Sequence, residues 1–422
     1  MSGPQLSAVF FLQMFAILLA CRLVGQMSRR LGQPQVVGEM IAGVFLGPSL
    51  LGFLLPGLQE AIFPKDSLKL LYVGAQLGVG LYMFLVGVEF DTATFRSRAR
   101  SAASVSLAGM AAPFVFGGVL AAGLAKIPGL FSQKATLVEA VLFMGAAMSI
   151  TAFPMLARIL YERGLTGTPL GTLALAAGAI GDAGAWCVLA IVLASFGAGP
   201  VVAVKAIAGG IVYAVVVLTL GRKRLAGLGR AAERAGQVTP PLLAVTLMLF
   251  MLAVWITDSI GIHAVFGGFL LGIAMPRGFF AREIQRQLEP FAVVFLLPMF
   301  FTFSGLNTRL DMVNSPQLLL IAVAVIVVST VAKGGACWAA ARLHGEDNRT
   351  ALAVGTLMNS RGLMELIIIN IGLQKGVIEA PLFSILVLMA IATTLMATPI
   401  FEWVYGRHAR KAGTLRAAPA EA

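Results

Sequence analysis

Four ionisable side chains interrupt long apolar runs of this sequence, where chemistry is the usual reason for a charge. Asp182 stands midway along LALAAGAIGDAGAWCVLAIV, Lys333 lies within VIVVSTVAKGGACWAAA, and Arg361 and Glu365 interrupt ALAVGTLMNSRGLMELIIINIGL. A charge at bilayer depth costs roughly 2.5–3.5 kcal/mol on insertion scales, so such residues are functional candidates by default. A desolvated carboxylate accepts a proton or a cation, but not both at once. We therefore take Asp182 as the first candidate for a functional residue.

A structural role is the alternative explanation for each of these charged residues. Asp182 could pair with Lys333 and hold two helices together, because buried ion pairs sometimes serve only specificity. Small residues surround the acid and leave room for water and an ion, which favours function. They are Ala179, Gly181, Ala183, Gly184 and Ala185. Arg361 and Glu365 are four residues apart and share one face of a helix, so we favour a structural ion pair there.

Breaks in the backbone are expected in two of the apolar runs. In FMGAAMSITAFPMLARIL, Pro154 lacks an N–H and displaces the carbonyl of Ile150, and Ser149 and Thr151 flank this gap. Their hydroxyl oxygens beside this gap make Ser149 and Thr151 candidate ion-binding residues. An ordinary proline kink is the alternative.

The second expected break lies in the later run that carries Arg361. Gly355, Asn359, Ser360 and Gly362 form a weak helix at its middle. Irregular backbone survives at this depth only where it is buried in protein or lines a cavity. Two broken segments in corresponding halves of a chain indicate the substrate site of an inverted-repeat transporter. We expect Asn359, Ser360 and Arg361 to line this break.

The composition indicates which kind of secondary structure positions these residues. Of 422 residues, 59% are hydrophobic and 12% are charged, against about 25% charged in soluble domains. This excludes a soluble enzyme, and the long continuous apolar runs exclude an outer-membrane barrel. The sequence predicts an all-α polytopic membrane protein with about 13 transmembrane helices. The predicted spans are 6–25, 36–54, 69–89, 101–125, 135–157, 167–196, 199–221, 240–259, 261–276, 286–306, 316–341, 350–373 and 381–405.

The distribution of positive charge predicts the orientation. Loops on one side of the predicted spans carry 21 Lys and Arg residues, including Arg158, and loops on the other side carry six. Positive loops stay in the cytoplasm, so we expect the N-terminus outside and the C-terminus inside, in a bacterial cytoplasmic membrane. Topology thus explains the net charge of +12, and we expect the lipid bilayer and no nucleic acid as a partner. The three cysteines and three histidines lack metal-site or catalytic spacing, so neither enzymatic activity nor a cofactor is expected.

Several long motifs carry a family resemblance. They are GEMIAGVFLGPSLLG at 38–52, FLVGVEFD at 84–91, SITAFPMLARIL at 149–160, GDAGAW at 181–186, GGFLLGIAMPR at 267–277 and MNSRGLMELIIINIGL at 358–373. This chain resembles the monovalent cation:proton antiporters, in particular the second of their two large families. The resemblance implies a homodimer, an inverted-repeat fold with two crossing discontinuous helices, and a carboxylate that exchanges Na⁺ or K⁺ for H⁺.

The resemblance also assigns roles to single residues. Asp182 matches the second acid of the family's two-acid motif, and Lys333 matches the basic residue that faces it. Gly181 stands at the first acidic position, which implies one-for-one, electroneutral exchange. The sequence alone favours neither Na⁺ nor K⁺.

The resemblance further implies a division of the membrane unit, residues 1–405. We expect a six-helix core near 101–196 and 286–373, scaffold and dimerisation helices near 1–89 and 199–276, and a short basic cytoplasmic tail at 406–422. Two rival functions suit similar features. One is an ion channel, although no filter motif such as TVGYG is present. The other is an organic-anion or bile-acid-type symporter, in which Arg361 would contact the substrate carboxylate.

Overall fold

The computed structural model describes residues 2–90, 92–193, 200–262, 264–306, 313, 315–361 and 363–411, and these are helical apart from loops and one isolated β-bridge, Phe131 to Ile378. The helices are α1 Gly3–Arg30, α2 Gln35–Leu46, α3 Leu51–Leu54, α4 Pro56–Ile62, α5 Lys65–Glu89, α6 Thr92–Leu124, α7 Leu137–Ser149, α8 Phe153–Glu162, α9 Pro169–Leu193, α10 Pro200–Val216, α11 Arg222–Ala235, α12 Pro240–Ser259, α13 Ala264–Ala274, α14 Phe279–Phe291, α15 Leu297–Leu306, α16 Pro316–Leu343, α17 Asn348–Leu357, α18 Leu363–Gln374, α19 Ala380–Phe401 and α20 Arg407–Lys411. Single π-helical turns join α10 to α11, α14 to α15 and α19 to α20.

The predicted spans correspond to these helices. Within the described ranges, eleven helical segments are long and apolar enough to cross a membrane. The remaining two predicted spans correspond to the shorter apolar helix α13 and to the broken pair α17 and α18. The prediction of an all-helical membrane fold with about thirteen spans is therefore confirmed. His263, Arg309, Gly362 of the second predicted break and the tail beyond residue 411 lie outside the described residues.

The outer faces of several helices suit contact with lipid. Large apolar side chains of α1, among them Phe11 and Phe15, are more than half exposed, as are Val201 and Ile211 of α10. A water-facing surface would place polar groups there, whereas lipid requires apolar ones.

One set of helices packs around α5. Helix α5 lies along α13, and α15 packs against both α2 and α5, while α1 covers α2. Glycine permits the closest of these approaches: a Cβ on Gly272 would lie 2.1 Å from the carbonyl oxygen of Phe84 on α5. Any side chain at this position would therefore separate α5 from α13.

A second set of helices contains the same pattern twice. Helix α6, the broken pair α7 and α8, and α9 form the first copy, and α16, the broken pair α17 and α18, and α19 form the second. The two broken pairs run in opposite directions, because the loop before α7 meets the loop after α18. There Ser132 N donates to the Val377 carbonyl (3.1 Å), and Glu379 N donates to the Leu130 carbonyl (2.8 Å). Opposite directions are what an inverted repeat requires.

One charge assignment from the sequence is wrong. The charge distribution predicts a loop position for Arg158, but this residue lies in α8 and is buried, at 4% exposed. The apolar run before it continues as a helix to Glu162, so the arginine is carried inside the protein. Other basic residues counted on that side, such as Arg222 and Arg349, also lie in helices but are exposed.

Candidate functional site

The first broken helix is interrupted at residues 150–152. Helix α7 ends at Ser149, Ile150 and Ala152 have extended backbone, and α8 begins at Phe153 with Pro154 in its first turn. Proline is tolerated there because the first N–H groups of a helix have no intrahelical acceptor. The structure therefore has two half-helices here, not the single kinked helix of the alternative interpretation.

The second broken helix is interrupted between α17 and α18. Asn359 closes the end of α17, because its side-chain amide donates to the carbonyls of Gly355 (3.1 Å) and Thr330 (3.3 Å). On the α18 side of the break, helix α19 contacts the backbone of Arg361. The Thr394 hydroxyl accepts the backbone N–H of Arg361 (2.9 Å) and lies 2.9 Å from the carbonyl oxygen of the same residue.

The two breaks contact each other directly. The backbone N–H of Ala152 donates to the carbonyl of Ser360 over 3.1 Å. The hydroxyl of Thr151 lies 3.5 Å from the carbonyl oxygen of Met358. Thr151 and Ser360 are both buried. Irregular backbone from each half of the chain thus satisfies part of the other's hydrogen bonding inside the protein.

Arg361 binds the carboxyl end of α7. Its Nη1 donates to the carbonyls of Ala147 (3.2 Å) and Ile150 (3.4 Å), and its Nη2 donates to the carbonyl of Met148 (2.7 Å) and to the hydroxyl of Ser329. The last carbonyls of a helix lack intrahelical partners and form the negative end of its dipole. The guanidinium group therefore compensates this end of the half-helix.

Lys333 reaches the same helix end from α16. Its Nζ donates to the Ser149 carbonyl over 2.5 Å, and its side chain is fully buried. Helices α16 and α17 also approach closely next to Lys333: a Cβ on Gly355 would lie 2.5 Å from the carbonyl oxygen of Gly334. The Ser149 hydroxyl donates to the Ala146 carbonyl (2.9 Å). The carbonyls at the end of α7 thus accept hydrogen bonds from two basic side chains and one hydroxyl group.

Glu365 accompanies Arg361 in the interior. Nη1 of Arg361 lies 3.2 Å from Oε1 of Glu365, and neither side chain is exposed. The structure therefore shows the ion pair that the four-residue spacing suggested. Glu365 lies in the first turn of α18, where a carboxylate also interacts favourably with the helix dipole.

Asp182 is 1% exposed and lies in α9, which packs against α6, α7 and α8. A Cβ on Gly178 would meet the side chains of Leu156 and Phe153. Asp182 follows Gly178 by one helical turn, so it extends the same face from the start of α8 toward the first break. The next residue back, Gly181, packs on Ser106 of α6. The pairing of Asp182 with Lys333 stays a prediction.

A cavity of about 520 Å³ borders α9 on an adjoining face. Most of its lining residues belong to α9 and α13. Ala183, the neighbour of Asp182, is one of the lining residues. Arg222, the first residue of α11, also lines this cavity and is one of the basic residues of the positively charged side.

Two hydroxyl residues of the site were missed in the sequence. Ser329 accepts a hydrogen bond from Arg361, and Thr394 holds the second break. Both are small hydroxyls within apolar spans, and a search for hydroxyls one helical turn from a buried charge would have found Ser329, which precedes Lys333 by four residues.

Together the fold and the site define a class of protein: a helical membrane transporter with two contacting discontinuous helices and buried charges around them. The solved structure of the sodium proton antiporter MjNhaP1 from Methanocaldococcus jannaschii has a similar fold, with a TM-score of 0.63 at 15% identity over 95% of this chain and 97% of that one.

The sequence comparisons identify the family. The model of the family described as "Sodium/hydrogen exchanger, transmembrane" matches residues 15–405. The chain belongs to this family, which consists of transporters and not of enzymes, as the motifs predicted. It is 40% identical to the Na(+)/H(+) antiporter NhaS4 of Synechocystis sp., over 91% of this chain and 94% of that protein. It is 36% identical to Cation/H(+) antiporter 19 of Arabidopsis thaliana, over 96% of this chain but only 50% of the plant protein.

Proposed function

We propose that this protein exchanges a monovalent cation, Na⁺ or K⁺, for protons by alternating access at Asp182. The observation that carries the proposal is the direct contact between the two breaks, with Asp182 buried on the α9 face that leads to them. Family membership and the names of its relatives, which are cation/proton antiporters, support the same conclusion.

The mechanism is competition for one carboxylate. Burial favours the protonated acid, whereas a nearby cation favours the carboxylate, so Asp182 holds H⁺ or the metal cation in turn. Oxygen atoms of Ser149 and Thr151 lie at the first break and are suitable ligands for a hard cation. Lys333 neutralises the end of α7 and, in this proposal, also compensates Asp182 while no cation is bound.

In this proposal the core moves only when Asp182 has bound either a cation or a proton. An ionised Asp182 without cation or proton would carry a bare charge through an apolar seal, which costs several kcal/mol. Either ligand removes that charge. The cation therefore moves in one direction only if a proton moves in the other, so neither ion leaks through the protein alone.

The packing suggests how the moving and stationary parts divide. We infer that the core comprises the two repeated units, α6–α9 and α16–α19, and that the scaffold comprises α1–α5 and α10–α15. The segment 286–306 is then a scaffold element, because α15 packs on α2 and α5. The cavity between α9 and α13 lies between these two parts, where a sliding core would open a path.

One proton for one cation is the proposed stoichiometry. A Gly at position 181 leaves one carboxylate in the motif, and a single carboxylate that trades one unit charge for another moves no net charge. Transport should therefore be insensitive to an imposed membrane potential.

The symporter alternative is disfavoured by the contacts of Arg361. Both of its terminal nitrogens already donate to carbonyls of α7, to Ser329 or to Glu365. Binding a substrate carboxylate would require breaking these buried hydrogen bonds. A channel would conduct without coupling, so the exchange assay also distinguishes that rival.

The experiment is dye-monitored exchange in everted membrane vesicles, with Na⁺, K⁺ and Li⁺ compared at several pH values. Asp182→Asn keeps the shape but loses the charge, and exchange should fall to background. Asp66→Asn, an exposed acid in the first turn of α5, is the matched control and should retain full activity. Retained exchange in a folded Asp182→Asn variant would refute the site.

Two further features belong to the proposal: a homodimer formed through the scaffold, and a C-terminus on the cytoplasmic side. Native mass measurement of the protein in a mild detergent tests the first, since a single-chain mass would contradict it. Thiol labelling, described in the Discussion, tests the second.

A further inference from the structure

The half-helix α8 ends against the start of α2. The carboxylate of Glu162 accepts the backbone N–H groups of Gln35 (2.5 Å) and Val36 (3.3 Å). These are the first two amides of α2, and its N-cap residue Pro34 offers no side-chain acceptor. The first N–H groups of a helix need an external acceptor, and an anion there is stabilised by the dipole. The cap of α2 is thus supplied from α8, more than a hundred residues later in the chain.

Arg158 links this cap to a second acid. Its Nε lies 2.7 Å from Oε1 of Glu162, one turn along α8, and its guanidinium carbon lies 5.6 Å above the ring of Tyr161. Glu39 of α2 is fully buried and is another charged neighbour of Arg158. In the part of the chain that the structure describes, Oε2 of Glu39 and Nη1 of Arg158 have no hydrogen-bond partner, so their compensation is the opposite charge nearby.

A neighbouring contact joins the same two regions. Arg163, which follows α8, donates through Nη2 to the carbonyl of Gly32 in the turn before α2, and its Nη1 pairs with Glu402 over 2.8 Å. The turn between α1 and α2 and the end of α8 are therefore joined at two positions. Both positions lie on the positively charged side of the protein.

We infer that Glu162 and Arg158 form a latch with the first turn of α2 and with Glu39, which holds the core against the scaffold in one end state and must open in every exchange cycle. The inference rests on the proposed function, because it requires α8 to move with the core while α2 stays with the scaffold. These are positioning residues, since they act through the relative placement of two helices. Opening the latch exposes both the α2 amides and the Glu162 carboxylate, so water must replace their mutual contacts.

The closing experiment fastens the latch covalently. Gln35→Cys and Glu162→Cys are introduced together into a chain whose native Cys21, Cys187 and Cys337 are replaced by alanine. Oxidation should link α2 to α8 and reduce exchange at least tenfold, and a reductant should restore it. Each single-cysteine variant is the control and should not respond to the oxidant. Full exchange by the cross-linked protein would overturn the latch.

A substitution series tests the latch without a cross-link. Glu162→Gln retains an oxygen that can accept the α2 amides, whereas Glu162→Ala retains none. We expect Glu162→Ala to change the maximal exchange rate and the apparent KM for the cation at least threefold per folded molecule, with partial rescue in Glu162→Gln. Glu283→Gln, in an exposed pair within α14, should change neither. If Glu162→Ala only lowered the amount of folded protein, the latch would be refuted.

The two failures are distinguishable. If the cysteine-free parent shows no cation/proton exchange, the proposed function fails. If the parent exchanges and the cross-linked form does too, only the latch fails.

Discussion

The ammonium group of Lys333 lies 2.5 Å from the backbone carbonyl oxygen of Ser149, so a charge from α16 rests on the carboxyl end of α7. This contact joins a buried side chain of the second repeat to the first break. It gives Lys333 a structural task in addition to the one proposed opposite Asp182.

We expect Lys333→Gln to destabilise the protein by about 1–3 kcal/mol, because a hydrogen bond from a charged donor to an otherwise unpaired carbonyl is lost. Thermal unfolding in detergent measures the effect as a lower Tm. Lys375→Gln, at an exposed position after α18, is the control and should leave Tm unchanged. An unchanged Tm in Lys333→Gln would show that the contact with Ser149 does not contribute.

Arg361→Ala should be more damaging than any substitution at Asp182. It leaves the buried Glu365 without its partner and frees three carbonyls of α7, and breaking a buried ion pair costs about 3–5 kcal/mol. The expected result is a marked loss of monodisperse protein on size-exclusion chromatography. Asp182→Asn should purify normally and be inactive. A stable but inactive Arg361→Ala variant would instead assign the arginine to transport.

The close approach of α16 and α17 provides a test with an adjacent control. In Gly355→Ala the new Cβ would lie 2.5 Å from the backbone carbonyl of Gly334, so the two helices must separate, at a cost of about 1–3 kcal/mol. Gly335→Ala meets nothing within 4 Å and should be neutral or slightly stabilising. We expect lower exchange and a lower Tm for the first variant only, measured on vesicles and on purified protein.

The sequence was sufficient for features that depend on local pattern. Apolar runs predicted the spans, and Pro154 and the Gly355 to Gly362 stretch marked the breaks, because each changes what the backbone can bond within its own helix. Contacts between distant segments were not predictable in the same way. The partners of Lys333 and Arg361 are carbonyl oxygens, which every residue has, so no side-chain pattern identifies them. Arg158 was misplaced because an arginine at the end of an apolar run resembles a loop charge.

Orientation is testable with single cysteines in a chain free of native ones. Arg224→Cys and Lys375→Cys lie on opposite sides of the membrane in the predicted topology. A membrane-impermeant thiol reagent added to intact cells should label Lys375→Cys and spare Arg224→Cys until the cells are opened. Labelling of Arg224→Cys alone in intact cells would invert the proposed orientation.

The cap of α17 should give a pH-dependent contribution to stability. The carboxylate of Asp347 accepts the backbone N–H groups of Arg349 (2.9 Å) and Thr350 (3.1 Å) at the start of the second broken helix. Burial raises the pKa of Asp347, but the hydrogen bonds from Thr350 and Arg349 and the charge of Arg342 outweigh it, so the pKa lies below its ordinary value. A carboxyl whose pKa falls on folding stabilises the folded state above its unfolded pKa of about 3.9, and this stabilisation is lost as the pH falls through the lower folded value.

Asp347→Ala should therefore destabilise the protein by about 1 kcal/mol at neutral pH, the usual cost of losing an N-cap. The difference from the wild type should persist down to about pH 5 and shrink below about pH 4, as first the unfolded and then the folded carboxyl group becomes protonated. Asp347→Asn still offers an oxygen to the two amides and should lose less at neutral pH, with no dependence on the titration. Thermal unfolding of the three proteins across this pH range measures the effect. If the difference in stability between Asp347→Ala and the wild type were the same at all pH values, the charge of Asp347 would not contribute to the stability of the cap.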